Sequence, residues 1–263
     1  MKITVFTSNQ PRHLSLIKDL ANICDEVFAI IEVSTIFPGK NADFFKKSEI
    51  MQKYFSNVIN SEKKIFGDIS LLPGNVKSLI VKSGDLNDIP MSILAPLLKS
   101  DEYIVFGSSY IKGALIDFLV SKNAYNIHMG VSPYYRGSSC NFWAAYDRNL
   151  TMVGSTIHLL SKGLDSGPIL FHALPKPTEN AFDLGMKAVK SAHIALVQNI
   201  DSGKIKDFQP IIQDKKLEIR YTKNADFDDN VALEYLNSPP TEEEIFHSYS
   251  NLDKSKYLNL FVY

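Results

Sequence analysis

Hydrophobic and polar positions in the first 125 residues follow two alternating periods. Short apolar runs at 3–6, 79–81 and 103–106 predict strands, and 26–33 (EVFAIIEV) a buried strand. Between them, Leu14, Leu16, Ile17, Leu20, Ala21 and Ile23 recur at helical spacing. A charged helical stretch is expected from 43 to about 66, with further helices over 91–98 and 114–120, and a Pro-Gly loop over 36–40. This strand–helix alternation predicts an α/β protein with a parallel sheet and helices on both faces. Ligands on such sheets bind at the carboxyl ends of the strands.

The pattern changes after residue 124. A short strand is expected at 125–128, a loop at 132–137 (SPYYRG) and a helix from 141 to 146. An alternating strand over 153–160 is broken by 163–168 (GLDSGP), and extended structure resumes at 169–172. Residues 181–200 form a long amphipathic helix. The chain is read as a main domain, 1–210, and a small appendage, 211–263. That appendage holds a strand at 217–221, a helical turn at 231–236 and a helix opened by the capping-box pattern Thr241-Glu-Glu-Glu244. It is too small for a strong core of its own and is expected to pack on the main domain or on a second subunit.

Composition narrows the class. The chain has 263 residues, 45% of them hydrophobic and 22% charged, which excludes a disordered chain. Two distant cysteines, Cys24 and Cys140, are not a disulfide framework and fit a reducing compartment. No apolar run is long enough for a membrane span or a signal peptide, so a cytoplasmic protein without membrane partners is expected. The net charge of −1 conceals an asymmetry: residues 211–263 carry six cations and ten anions, the rest 22 cations and 19 anions.

Several chemistries find no support. The six histidines form no HExxH pattern and neither cysteine lies in a CxxC pair, so no metal is expected. Residues 107–113 (GSSYIKG) are glycine-bounded but lack the G-K-[ST] end of a phosphate-binding loop, and no GxGxxG follows the first strand. The informative segment is Asn126-Ile127-His128. Residues two apart on a strand project to one side, so an amide and an imidazole would face one pocket. About 40 residues on, Asp165 lies between Gly163 and Gly167, where glycine allows positive φ and close backbone approach.

Asn-x-His, then PxYRG, then LDSGP after an alternating strand together resemble the N10-formyltetrahydrofolate-dependent formyltransferases. The resemblance is sharpest over 126–145 and 154–170 and extends in layout over about 1–210. It implies a Rossmann-like formyltransferase fold and transfer of a formyl group to an amine without a metal. Asn126, His128 and Asp165 then occupy the family's catalytic positions. The resemblance also assigns Ser109, Tyr110, Ile111, Lys112, Gly163 and Leu164 to the folate site. In the chemistry it implies, Asn126 donates to the oxyanion formed as the amine attacks, His128 donates there or relays a proton, and Asp165 orients or charges His128 and takes the proton lost by the attacking amine, directly or through water.

The acceptor is approached by elimination. The family's glycinamide ribonucleotide enzymes carry a glycine-rich phosphate loop after strand one, whereas residues 7–13 (TSNQPRH) hold no glycine. The methionyl-tRNA enzymes append a tRNA-binding domain, whereas this tail is short and acidic, so no nucleic-acid partner is expected. The amino-sugar members, which act on nucleotide-linked sugars, remain. Arg12, Tyr134, Tyr135, Arg136 and Trp143 are the candidate acceptor contacts, and a homodimer is expected. The alternatives that stay open are a methionyl-tRNA or glycinamide ribonucleotide formyltransferase, a formyltetrahydrofolate hydrolase, and a non-catalytic folate-binding protein on the same scaffold.

Overall fold

The computed structural model describes residues 1–33 and 48–263. The loop expected over 36–40 and the start of the helix expected from 43 lie outside the described residues. In chain order the elements are β1 (Lys2–Ser8), α1 (Pro11–Ala21), β2 (Glu26–Val33), α2 (Glu49–Phe66), β3 (Val76–Lys82), α3 (Met91–Leu94), β4 (Glu102–Val105), α4 (Gly113–Ser121) and β5 (Tyr125–His128). They continue with β6 (Tyr135–Gly137), α5 (Cys140–Tyr146), β7 (Ser155–Leu159), β8 (Ile169–Leu174), α6 (Ala181–Asp201), β9 (Arg220–Thr222), α7 (Asp229–Asn237), α8 (Glu242–Ser250) and β10 (Phe261–Val262).

Eight strands form one mixed sheet in the order β10-β8-β7-β5-β4-β1-β2-β3. All run the same way except β7, which is antiparallel to both β5 and β8. The inner strands are covered on both faces, so they read as continuous apolar runs. Successive residues of β1 show how the layers divide. Ile3 and Val5 join one core with α1 and α6, including Leu16, Ile17, Ala192 and Leu196. Phe6 turns to the opposite core, built on Leu115, Ile116 and Leu119 of α4.

Local chemistry sets the helix ends. Pro11 opens α1, where its missing N–H costs no hydrogen bond. The Ser48 side chain caps α2 by accepting from the Met51 N–H, and Gly67, at φ 77°, ends that helix. Asp183, buried at the start of α6, accepts from Ser61 at 2.7 Å and pairs with Lys64 at 2.6 Å, which ties α2 to α6. The expected Thr241–Glu244 capping box is present at α8.

Residues 211–263 are woven into the body rather than attached at one point. Ile211 forms an antiparallel bridge with Ile169, β9 pairs in parallel with β6, and β10 extends the main sheet beside β8. Among the described residues no helix is long and apolar enough to cross a membrane.

Candidate active site

β5 ends at the carboxyl edge of the sheet and carries Asn126 and His128 on one side, as their spacing predicts. Both are buried, at 9% and 6% exposure, and both reach Asp165 in the loop joining β7 to β8. Asn126 Nδ2 donates to Asp165 Oδ1 at 3.1 Å, and His128 Nδ1 lies 3.3 Å from Asp165 Oδ2. The other ring nitrogen, His128 Nε2, is 3.3 Å from the Tyr135 carbonyl. Both nitrogens therefore face acceptors, an arrangement that suits an imidazolium donating twice.

The electrostatics agree with that geometry. Burial pulls the His128 pKa down, but the Asp165 carboxylate, and after it Cys140, outweigh burial and hold it well above the ordinary histidine value. Asp165 shows the mirror image. Burial pushes it up, whereas the charge of His128 and the hydrogen bond from it press it far below the usual carboxylate range. Both shifts favour the imidazolium–carboxylate form of the pair, a form that suits Asp165 to orienting and charging His128 more than to accepting a proton.

The glycines beside Asp165 act through close approach. Asp165 itself takes the left-handed backbone, at φ 44°, which aspartate tolerates better than most residues. Neither Gly163 nor Gly167 has positive φ. A Cβ on Gly167 would overlap the Leu159 carbonyl oxygen and meet His158 Nδ1 at 2.9 Å. Gly130, two residues past His128, is needed for a similar reason. A Cβ there would meet His128 Nε2 at 2.9 Å and the Cys140 side chain.

Four further residues hold this arrangement. His158, on β7, stands directly opposite Asn126 in the antiparallel register. Its Nδ1 donates to the Leu159 carbonyl at 2.8 Å, which leaves Nε2 to accept from Asn126 Nδ2 at 2.9 Å. Both Asn126 N–H groups are thus engaged, and donation to a substrate oxygen requires exchange of one of them. Gln213 Nε2 donates to the Asp165 and Gly167 carbonyls at 2.9 and 2.8 Å. Cys140 packs against His128 across Gly130. Glu32, buried at the end of β2, accepts from Ser109 N–H, Ser109 Oγ and Gly84 N–H, anchoring the loop after β4. His158 and Cys140 stand in the sequence as an ordinary histidine and cysteine. Their importance comes from strand pairing and convergence that the sequence does not display.

Two cavities meet at His128. The first, of about 280 Å³, lies beyond the carboxyl ends of β4 and β5. Ser109, Tyr110 and Ile111 line one side, Gly163, Leu164 and Asp165 the other, with Asn126 and His128 at its base. The Tyr110 hydroxyl donates to the Lys162 carbonyl at 2.5 Å and so bridges the two loops. Lys112 stands outside this cavity, its N–H bonded to Asn87 Oδ1 at 2.7 Å. The second cavity, of about 370 Å³, is aromatic. Tyr54, Phe55, Phe142, Phe182, Phe227 and Tyr235 contribute to its lining, with Arg12, His128 and Cys140. Arg12 Nη1 is paired with the buried Glu62 at 2.8 Å.

The remaining acceptor candidates lie elsewhere. Tyr134, Tyr135, Arg136 and Trp143 line neither cavity. The 217–222 segment engages three of them. The Tyr134 carbonyl accepts from Ile219 and Arg220 N–H groups, Arg136 pairs with Glu218 at 3.0 Å, and the Arg220 guanidinium lies 4.6 Å from the Trp143 ring centre. The Tyr135 side chain is buried, its hydroxyl donating to Asp147 and accepting from Asn149. Among the described residues no cluster of three or more His, Cys, Asp or Glu side chains is placed to hold a metal.

No protein-family model and no curated protein matches the sequence. Solved structures do match in fold. A 4-N formyltransferase from Francisella tularensis superposes with a TM-score of 0.53 at 21% identity, over 86% of this chain and 77% of that one. A phosphoribosylglycinamide formyltransferase from Anaplasma phagocytophilum gives 0.52 at 17% identity, over 85% and 99%. An N-formyltransferase from Helicobacter canadensis, in complex with folinic acid and dTDP-3-aminofucose, gives 0.51 at 12% identity, over 87% and 73%. The chain has the formyltransferase fold.

Proposed function

We propose that this chain, built on the formyltransferase fold, transfers a formyl group from N10-formyltetrahydrofolate to the amino group of a small acceptor, a nucleotide-linked amino sugar. The observation that carries the reading is the position of His128, which lines both cavities and is held by Asp165 between them. The cavity between the 107–111 and 160–165 loops suits a flat heteroaromatic ring. It offers backbone groups for the ring edge and Ile116, Ile127 and Leu160 for its faces. The aromatic cavity offers faces for a sugar ring or base.

N10-formyltetrahydrofolate supplies the formyl carbon, the amine adds to it, and tetrahydrofolate leaves. The residues of this chain position and stabilise that exchange. His128, carrying two N–H groups, supplies a donor to the oxygen that gains charge, by giving up its bond to the Tyr135 carbonyl. Asn126 adds a second donor by exchanging its Asp165 bond while His158 keeps its amide oriented. Asp165 keeps His128 charged and fixed in its plane. The attacking amine must be neutral; as the C–N10 bond breaks, the proton it loses reaches N10 of the departing tetrahydrofolate through water or a relay in the cavity, so the exchange balances.

The test is incubation with N10-formyltetrahydrofolate and a panel of nucleotide-linked amino sugars, followed by mass detection of formylated product and absorbance detection of tetrahydrofolate. Formylation of at least one sugar is expected. Tetrahydrofolate and formate released equally with and without any amine would replace this reading by a hydrolase. Folate binding with no turnover of any kind would point to a binding protein.

A further inference from the structure

The 163–168 loop presents Asp165 to His128, yet its own residues explain little of how it is held. Asp165 has left-handed backbone, a conformation that persists in a non-glycine residue only when the surroundings fix it. The loop side chains turn on one another, with Ser161 and Ser166 hydroxyls 3.0 Å apart. The support at the backbone of Asp165 and Gly167 comes from 48 and 46 residues further along the chain. There the primary amide of Gln213 donates one N–H to each carbonyl, at 2.9 and 2.8 Å. Gln213 is itself fixed by the bridge two residues before it. Ile169 N–H donates to Ile211 O at 2.7 Å, and Ile211 N–H donates back at 2.9 Å.

We propose that Gln213 is a positioning residue for Asp165: its amide clamps the carbonyls on either side of Ser166 and thereby sets the Asp165 carboxylate against His128 and Asn126. The proposal rests on the reading of Asn126, His128 and Asp165 as the reacting site. It gives the first residues after position 210 a direct part in the active site. Only a side chain with two hydrogens on one atom, at the length of glutamine, satisfies both carbonyls at once. Methionine has similar length without donors, and asparagine is one carbon too short to reach both.

The experiment compares Gln213→Met and Gln213→Asn with the full-length wild type in two measurements. The first is steady-state kinetics with an acceptor found active. Q213M is expected to lose about 10- to 100-fold in kcat, as small displacements of a catalytic group do, with little change in acceptor KM. Q213N is expected to fall between Q213M and wild type. The second is an NMR titration of the His128 ring, which needs no turnover. The groups facing that ring are Asp165 from the β7–β8 loop, Cys140 from α5, His158 from β7 at a centroid distance of 6.5 Å, and the Tyr135 carbonyl. Arg12 lines the same cavity. Of these only Asp165 is released by Q213M, so the His128 midpoint is expected to move down toward the ordinary histidine value, with Q213N shifted less. An unchanged His128 midpoint in Q213M overturns the proposal, whatever happens to kcat, because loss of activity alone would mark a merely structural role. If wild type formylates no amine, the proposed function fails while the titration still decides the clamp.

Discussion

The two cavities that meet at His128 are built in opposite ways. The cavity proposed for folate is made of two loops, 107–111 and 160–165, that follow strands of one sheet and are pinned by polar anchors. Glu32 takes three hydrogen bonds from Ser109 and Gly84, Asn87 bonds the backbone of Tyr110 and Lys112, and Tyr110 bridges to Lys162. The cavity proposed for the acceptor has few polar anchors. Its rings come from α2, α5, α6, α7 and the segment before α7, and they hold one another in tilted and edge-to-face contacts. Tyr54 lies 4.9 Å from Phe227 and 5.6 Å from Phe142. A polar, strand-edge cavity fixes one ligand in one pose. A cavity of aromatic rings from five segments can be reshaped by single side-chain changes.

The largest effect should follow from the residues that both cavities share. His128→Ala is expected to lower kcat by about 10²–10⁴, the usual range for a positioned acid–base group, while folate binding measured by calorimetry stays within a few-fold of wild type. Full activity in that variant would remove His128 from the chemistry. Asp165→Asn keeps the shape but removes the charge, and should drop kcat comparably and lower the His128 midpoint seen by NMR.

The next effects should separate the cavities. Phe55→Ala removes a half-buried ring from the acceptor side. About tenfold higher acceptor KM is expected, close to the loss of one aromatic contact, with folate KM unchanged. Glu32→Gln puts an N–H donor among three donors on the other side, and should raise folate KM by roughly five- to tenfold with acceptor KM unchanged. If either variant moves both KM values together, the cavities are not independent sites.

The smallest effect concerns stability against pH. The folded pKa of His128 is raised, so its stabilisation is complete below the ordinary value of 6.5 and is lost as pH rises through the folded value. For Asp165 the folded pKa is depressed. Its stabilisation is complete above the ordinary 3.8 and is lost as pH falls toward the folded value. Urea midpoints should therefore decline on the alkaline side for wild type, and that decline should be reduced in D165N. Identical profiles would mean that the pair does not couple to folding.

Legibility in the sequence followed the same division. The strands β1, β2, β4 and β5 are readable because buried parallel strands are continuous apolar runs, and the helices between them carry a clear period; β3 is readable from its short apolar run although it lies half-exposed at the sheet edge. Tyr135–Gly137 was read as a loop because its strand character comes from pairing with Arg220–Thr222, more than 80 residues away. The reversed direction of β7 was not readable, since an alternating pattern is the same in either orientation. At the site, the two-residue spacing of Asn126 and His128 and the glycine-flanked turn at Asp165 are weak signals alone, and it is their order and spacing together, as a resemblance to the formyltransferases, that singles them out. His158 became visible only with the Asn126–His158 register, and Gln213 only with the Ile169–Ile211 bridge. Tyr134, Tyr135, Arg136 and Trp143 looked like acceptor contacts because loop aromatics and cations resemble binding residues. Much of that surface is instead engaged by 217–222.

The account's central claim is that His128 stands where a folate and an amine come together. Its most direct test is an NMR titration of histidine-labelled protein, first with tetrahydrofolate and then with an amino-sugar nucleotide found to be formylated in the assay. The account predicts that each ligand alone shifts the His128 resonance, that both bind at once, and that Phe55→Ala weakens only the second response while Glu32→Gln weakens only the first. A His128 resonance that tetrahydrofolate leaves unmoved at saturation would contradict it.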